Sequence, residues 1–287
     1  MLDSYDDLLD PELRALWPLA SVVAKSIEGR LMGGTALTLH LRHRASKDFD
    51  IMTLTPFDGR DVQALIEGQL RSIRPDDYWR FCSVIEARKN GYCALIDNVR
   101  FDVFLSLGSG EAQAHDMRWM QAPRCIEGMA VGEIPDLLAS KLAAASDRGK
   151  LRDFIDLAAI DRLSGYTLED GLEFYRRVFR LDVHPNPAAM RRVLRVLADP
   201  GYVEPDRAFE SLREDALVHL RNRSEDLQRY MVEIADQHIQ AGTAAQASDL
   251  GAPRSSAMPG QCGQWMPRAR AQCSLPPHHK GPHRRRR

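Results

Sequence analysis

Two carboxylates one residue apart, Asp48 and Asp50, close the stretch Gly33 to Asp50, which reads GGTALTLHLRHRASKDFD. From Asp48 to Leu54 polar and apolar residues alternate, the period of a half-buried strand. On a strand, residues i and i+2 face the same side, so Asp48 and Asp50 point together. Paired carboxylates repel unless a cation sits between them. The stretch opens on Gly33-Gly34-Thr35. The two glycines have no Cβ to keep a ligand away from the backbone. Thr35 offers a hydroxyl and an amide where a short helix begins, and a helix N-terminus suits phosphate. Hard oxygen ligands beside a phosphate site favour Mg²⁺ over zinc, with Mn²⁺ as the alternative. The blander account of the same residues is a surface turn and a solvated strand edge.

The elements that must position these groups follow from periodicity. Arg30-Leu31-Met32 is short and apolar enough to lead in as a strand. Residues 10–29 carry leucines and valines at helical spacing, with Pro18 inside predicting a kink or two helices. Residues 60–73 predict a second amphipathic helix. Residues 80–106 predict a three-strand meander with a tight turn at Asn90-Gly91 and another at Asp97-Asn98. On its third strand Val99, Phe101, Val103 and Leu105 share one face and Asp102 lies on the other, near the Asp48–Asp50 edge if the strands are neighbours. From Pro135 the pattern is helical almost throughout: 135–146, 151–163, 168–179, 187–197 and 207–240. The fold expected is α+β. A small mixed sheet with flanking helices (1–132) precedes an all-helical part (133–240), a linker (241–261) and a short basic Cys/His tail (262–287).

The chain has 287 residues, 44% hydrophobic and 28% charged, ordinary for a globular protein with a sizeable core. An acidic N-terminus and the lack of any apolar run near 20 residues predict a cytoplasmic protein with no membrane partner. Five widely spaced cysteines argue against a disulfide framework. The net charge of −1 hides an asymmetry: residues 1–249 hold 31 bases against 40 acids, and the remainder holds eight bases and no acid. A basic tail on an acidic body suits an anionic partner or is simply solvated.

The Gly-Gly turn followed by a D-x-D strand resembles the opening of the DNA polymerase β-like nucleotidyltransferase superfamily. GGTAL followed by R-x-S-x-D-F-D is most similar to the AbiEii/AbiGii toxin family, which includes the MenT-type enzymes. Further on, Lys141 to Leu157 reads K-L-A-A-x-x-D-R-x-K-x-R-D-F-x-D-L, which resembles that family's C-terminal motif. The resemblance covers about residues 25–160. It implies that Asp48 and Asp50 hold Mg²⁺, with Asp102 as a third carboxylate, and that Gly33, Gly34, Thr35 and Arg152 meet the phosphates of an NTP. It implies that Lys141 contacts the triphosphate and that Asp156 completes the active site, with Asp153 beside it. Arg42, Arg44 and Lys47 are further candidates for nucleotide contact.

By the same resemblance the chain is a toxin that transfers NMP from NTP to the 3′ end of tRNA, with a cognate antitoxin or a kinase-like regulator as partner. A phosphate on Ser46, two residues before Asp48, would bring negative charge into the nucleotide site. The alternatives are transfer to a small molecule such as an antibiotic or to a protein, or a non-catalytic RNA- or nucleotide-binding module. In the tail, Cys262, Cys273, His278 and His283 could hold a structural Zn²⁺, though the ten-residue gap between the cysteines departs from the usual knuckle spacing. Otherwise the tail is a Pro- and Arg-rich segment that happens to contain them.

Overall fold

The computed structural model describes residues 9–106, 118–179, 181, 187–199, 204 and 207–249. A seven-stranded mixed sheet runs β3-β4-β5-β2-β1-β7-β6. Its strands are β1 (Arg30–Met32), β2 (Asp48–Thr53), β3 (Cys82–Arg88), β4 (Gly91–Ile96), β5 (Val99–Leu105), β6 (Arg124–Ile126) and β7 (Met129–Val131). The meander β3-β4-β5 is antiparallel, as its tight turns require, and β5 then lies parallel to β2. The hairpin β6–β7, turning through Glu127 and Gly128 at positive φ, extends the sheet beyond β1.

Alternation sorts the two faces. Phe49, Ile51, Phe101 and Val103 are fully or almost fully buried. Phe49 packs against Trp17 and Phe101, under helices α1 (Pro11–Ser26) and α3 (Gly59–Ile73). Asp48, Asp50 and Asp102 take the other face, toward α2 (Gly33–Leu41) and the helical half. Helix α1 is continuous through Pro18, so of the kink or two helices expected there the two helices do not form. Proline withdraws one hydrogen-bond donor, but Trp17, Leu19, Ala20 and Val23 around it are buried in one core, and that packing carries the helix through.

The helical half comprises α4 (Ile134–Arg148), α5 (Leu151–Leu163), α6 (Leu168–Val178), α7 (Pro187–Ala198) and α8 (Glu210–Asp249). Helix α4 is central, in contact with α2, α5, α6 and α7. Leu137, Leu138 and Leu142 belong to the same hydrophobic core as Phe49 and Phe101. The change of pattern near residue 132 is therefore a change of secondary structure within one core. The described residues up to His238 make one compact unit. Helix α8 continues to Asp249, into the stretch expected as linker, where four alanines between 241 and 247 favour helix. Cys262, Cys273, His278 and His283 lie outside the described residues.

Candidate active site

The sheet register brings the carboxylates together. Asp50 on β2 is directly opposite Asp102 on β5, and Asp48 is opposite Arg100. Gly33, at φ +67°, begins α2 immediately beside them, and a Cβ there would lie 2.0 Å from Asp50 Oδ2. Only glycine fits that backbone conformation and that space together. A Cβ on Gly34 would lie 2.7 Å from Arg44 Nη2 and 2.9 Å from Ser46 Oγ. The glycine pair thus makes room for the Asp50 carboxylate on one side and for the loop before β2 on the other.

Thr35 has a different part from the one expected of its hydroxyl. It is fully buried, donates to the Asp48 carbonyl and pairs with Ser46 Oγ at 3.0 Å. Its hydroxyl fastens the 42–48 loop to α2, so only its amide remains for a phosphate. Arg42 ends α2 in the left-handed region, φ +54°.

Behind the carboxylates lies a knot of buried charge. Lys141 on α4 is 5% exposed, and its Nζ donates to Asp156 at 2.7 Å and to Asp153 at 3.1 Å, one turn apart on α5. Arg44 grips Asp156 with two parallel bonds of 2.7 and 2.8 Å, and His43 Nε2 lies 2.8 Å from the same carboxylate. Arg148 grips Asp153 in the same two-pronged way, at 2.8 and 2.9 Å. Burial alone would raise the Asp156 carboxyl. Lys141, Arg44 and His43 outweigh it and hold the group well below the ordinary carboxylate range. Asp153 is likewise held down by Arg148 and Lys141 against its burial. Asp156, expected to complete the active site, is fully buried and holds Lys141 and Arg44 in place.

A cavity of about 600 Å³ opens over this arrangement. The structure brings Gly34, Ser46, Asp48, Asp50, Asp102, Lys141 and Arg152 to its wall, and places Thr35 and Asp156 behind it. Gly33 lines an adjoining cavity. Arg100, Arg148, Lys150 and Phe209 also line the first, and none of these was anticipated. Arg148 and Lys150 stood inside the quoted motif, but nothing in their spacing marks them. Phe209 comes from a short turn more than a hundred residues after Asp102.

The donors suit a hard divalent cation: three aspartates, oxygen only. Burial pushes the Asp50 carboxyl above its ordinary range; Lys141 opposes this, while the charges of Asp102 and Asp48 add to it. Asp102 Oδ1 and Arg152 Nε are both buried without a hydrogen-bond partner, and both residues line the cavity. Among the described residues no group of three or more ligating side chains is gathered closely enough to hold an ion as it stands. Arg100 holds Asp102 at 2.7 Å and Arg152 holds Asp48 at 3.4 Å, so arginines now neutralise the carboxylates that a metal would claim.

A glycine-braced helix start, paired strand aspartates and a cation-lined cavity are features suited to binding a nucleoside triphosphate. The model of the family "Nucleotidyl transferase AbiEii toxin, Type IV TA system" matches residues 15–246, and the chain belongs to that family. Membership makes the chain a nucleotidyltransferase and implies an antitoxin partner. An uncharacterised protein of Aquifex aeolicus (strain VF5) is 27% identical over 155 residues, spanning 52% of this chain and 66% of that protein. A crystal structure of an H. pylori protein described as a candidate nucleotidyltransferase covers 79% of this chain and 99% of its own, at 17% identity and TM-score 0.43. The antibiotic-resistance factor ANT(2'')-Ia covers 80% and 99%, at 15% identity and TM-score 0.35. Neither structural likeness is close enough to carry an argument. Among the described residues no helix is long and apolar enough to cross a membrane.

Two outcomes follow from the charge arrangement. Asp156→Asn strands Arg44 in the interior and leaves Lys141 with Asp153 alone, and should cost about 3–5 kcal/mol in urea unfolding at pH 7. Because the folded Asp156 pKa is depressed, its stabilisation is present above the ordinary value of 3.8 and fades as pH falls through the lower folded value. The wild-type advantage over Asp156→Asn should therefore shrink in acid. Asp50 has the opposite sign: its raised pKa means ionisation disfavours the folded state at neutral pH. Asp50→Asn should melt higher than wild type in EDTA at pH 7, and millimolar Mg²⁺ should raise the melting temperature of wild type alone.

Proposed function

We propose that the chain transfers a nucleoside monophosphate from an NTP to the 3′ end of tRNA, in a Mg²⁺-dependent reaction that blocks translation. The observation that carries the chemistry is Asp50 opposite Asp102 at the wall of a cation-lined cavity. Asp48, Asp50 and Asp102 would hold the metal, which when bound supplies Lewis-acid stabilisation of the phosphates. The acceptor's hydroxyl oxygen forms a bond to the α-phosphorus, the α–β anhydride bond breaks, and pyrophosphate leaves. Asp102, the third carboxylate, would take the hydroxyl proton.

The remaining residues bind and neutralise. Seven bases line the cavity against three acids: Arg44, Lys47, Arg100, Lys141, Arg148, Lys150 and Arg152. Arg152, with its unspent Nε, and Lys150 meet the triphosphate. Lys141 and Arg148, held by buried aspartates, add fixed positive potential behind it. The first-turn amides of α2 at Gly33, Gly34 and Thr35 face the phosphate from the other side. Ser46 sits on the cavity wall against Gly34, and phosphorylation there, by an antitoxin or regulator with kinase activity, would fill the anion site and repel nucleotide.

Incubating the protein with each labelled NTP, Mg²⁺ and total tRNA should label the RNA with at least one nucleotide. Asp50→Asn should lower that rate by two orders of magnitude or more. No transfer with any of the four nucleotides sinks the reading, and transfer only to an aminoglycoside or a protein replaces the acceptor. Ser46→Glu should raise the KM for NTP at least tenfold, whereas Ser46→Ala stays near wild type; full activity of Ser46→Glu rejects the regulatory role.

A further inference from the structure

A second cavity, of about 550 Å³, meets the first at the carboxylates and shares Asp50, Arg100, Asp102, Lys141 and Arg148 with it. It differs in character, because it opens over β4 and β5 and includes Phe104, Leu105, Met52 and Phe179. We propose that this cavity, continued across the open face of β3–β5 to the sheet edge, binds the single-stranded end of an RNA acceptor. The proposal rests on the transfer reading above and names the surface that delivers the hydroxyl.

The register supplies the path. Asp48, Arg100, Leu95 and Ser83 form one cross-strand row, and Asp50, Asp102, Cys93 and Glu86 form the next. Both rows begin at the catalytic carboxylates and end on edge strand β3. Leu95 is 41% exposed and Phe104 36%, both on the carboxylate face. A large apolar side chain left in water beside a catalytic centre is a stacking surface for a base, since every base presents a π-face.

At the edge the chemistry repeats. The 3-10 turn Tyr78–Arg80 runs straight into β3, and three arginines lie over aromatic rings there. Arg74 is 3.7 Å from the Phe81 ring centre, Arg71 4.5 Å from Tyr78 and Arg80 5.0 Å from Trp79. Trp79 is 59% exposed. Interleaved arginine and aromatic side chains suit the phosphates and bases of a single strand. They stand out on residues 1–249, whose net charge is −9. Of the acids beside the path, Glu86 is paired with Arg88 at 2.9 Å and Glu67 with Arg71 at 3.3 Å.

Size selects the occupant. Three inter-strand spacings of about 4.8 Å separate β2 from β3, roughly 15 Å. A small-molecule acceptor would end inside the cavity and leave Trp79 and Arg80 untouched. A few nucleotides of single strand span the whole path and bring a terminal ribose hydroxyl to Asp50 and Asp102.

The test is fluorescence anisotropy of the full chain with a labelled single-stranded RNA of about a dozen nucleotides, across a salt series. Phe104→Ala and Trp79→Ala should each weaken binding about tenfold. Arg80→Glu should reduce the salt slope by about one. Binding of a fluorescent NTP analogue should stay within twofold of wild type in all three. Trp79 and Arg80 are solvent-exposed, so these variants keep the fold, and unchanged melting temperatures confirm it. RNA affinity within twofold of wild type in all three variants overturns the proposal, including the case in which the face receives a protein. RNA binding lost in the variants, with no labelling of tRNA by wild type, would sink the transfer reading and leave this surface standing.

Discussion

The Asp156 carboxylate, removed from water, ties together three stretches of chain far apart in sequence. Arg44 and His43 come from the loop after α2, Lys141 from α4, and Asp156 itself from α5. Any one of these cations left alone in the interior would be costly, and so would the carboxylate. Together they satisfy one another, and the loop before β2, the glycine turn and the helical half cannot shift independently. The placement of β2 against the helical half depends on that mutual satisfaction.

The same knot sets the electrostatics of the cavity. Asp50 lies opposite Asp102 on the adjacent strand, and its burial, with the nearby charges of Asp102 and Asp48, resists its ionisation. Lys141 lies behind them, buried and held by both Asp156 and Asp153, and Arg148 is held by two bonds to Asp153. Arg100 and Arg152 lie in front, at 53% and 31% side-chain exposure, and are free to exchange carboxylate for phosphate as ligands arrive. Fixed charge at the back and exchangeable charge at the mouth suit a site that must admit a polyanion and then release pyrophosphate. Placement and electrostatics are what phosphoryl chemistry chiefly asks of a protein.

The sheet gives the site two approaches. One is walled by cations and braced by the glycine turn. The other is more apolar and crosses Phe104 and Leu95 toward the arginine-rich edge. Both end on Asp50 and Asp102, the geometry a two-substrate transfer requires. The long route from β2 to the edge exists because the meander adds strands on the far side of β5, each antiparallel neighbour continuing the exposed face.

Much of this was legible in the chain itself because it is local. Period-two alternation put Asp48 and Asp50 on one face and Phe49 and Ile51 on the other, and the Asn90-Gly91 and Asp97-Asn98 turns set the meander. The glycine pair marked a close approach, and the helical spacings from Pro135 onward marked the second half. What packing alone decided is which partners the charges found. No spacing rule joins Arg44 to Asp156 across 112 positions, or turns Thr35 away from a phosphate toward the Asp48 carbonyl. Nothing local showed that Asp102 would stand against Asp50, or that Pro18 would sit in an unbroken helix. Local periodicity states which face a side chain takes; its charge partner depends on the desolvation and geometry that only the assembled core imposes.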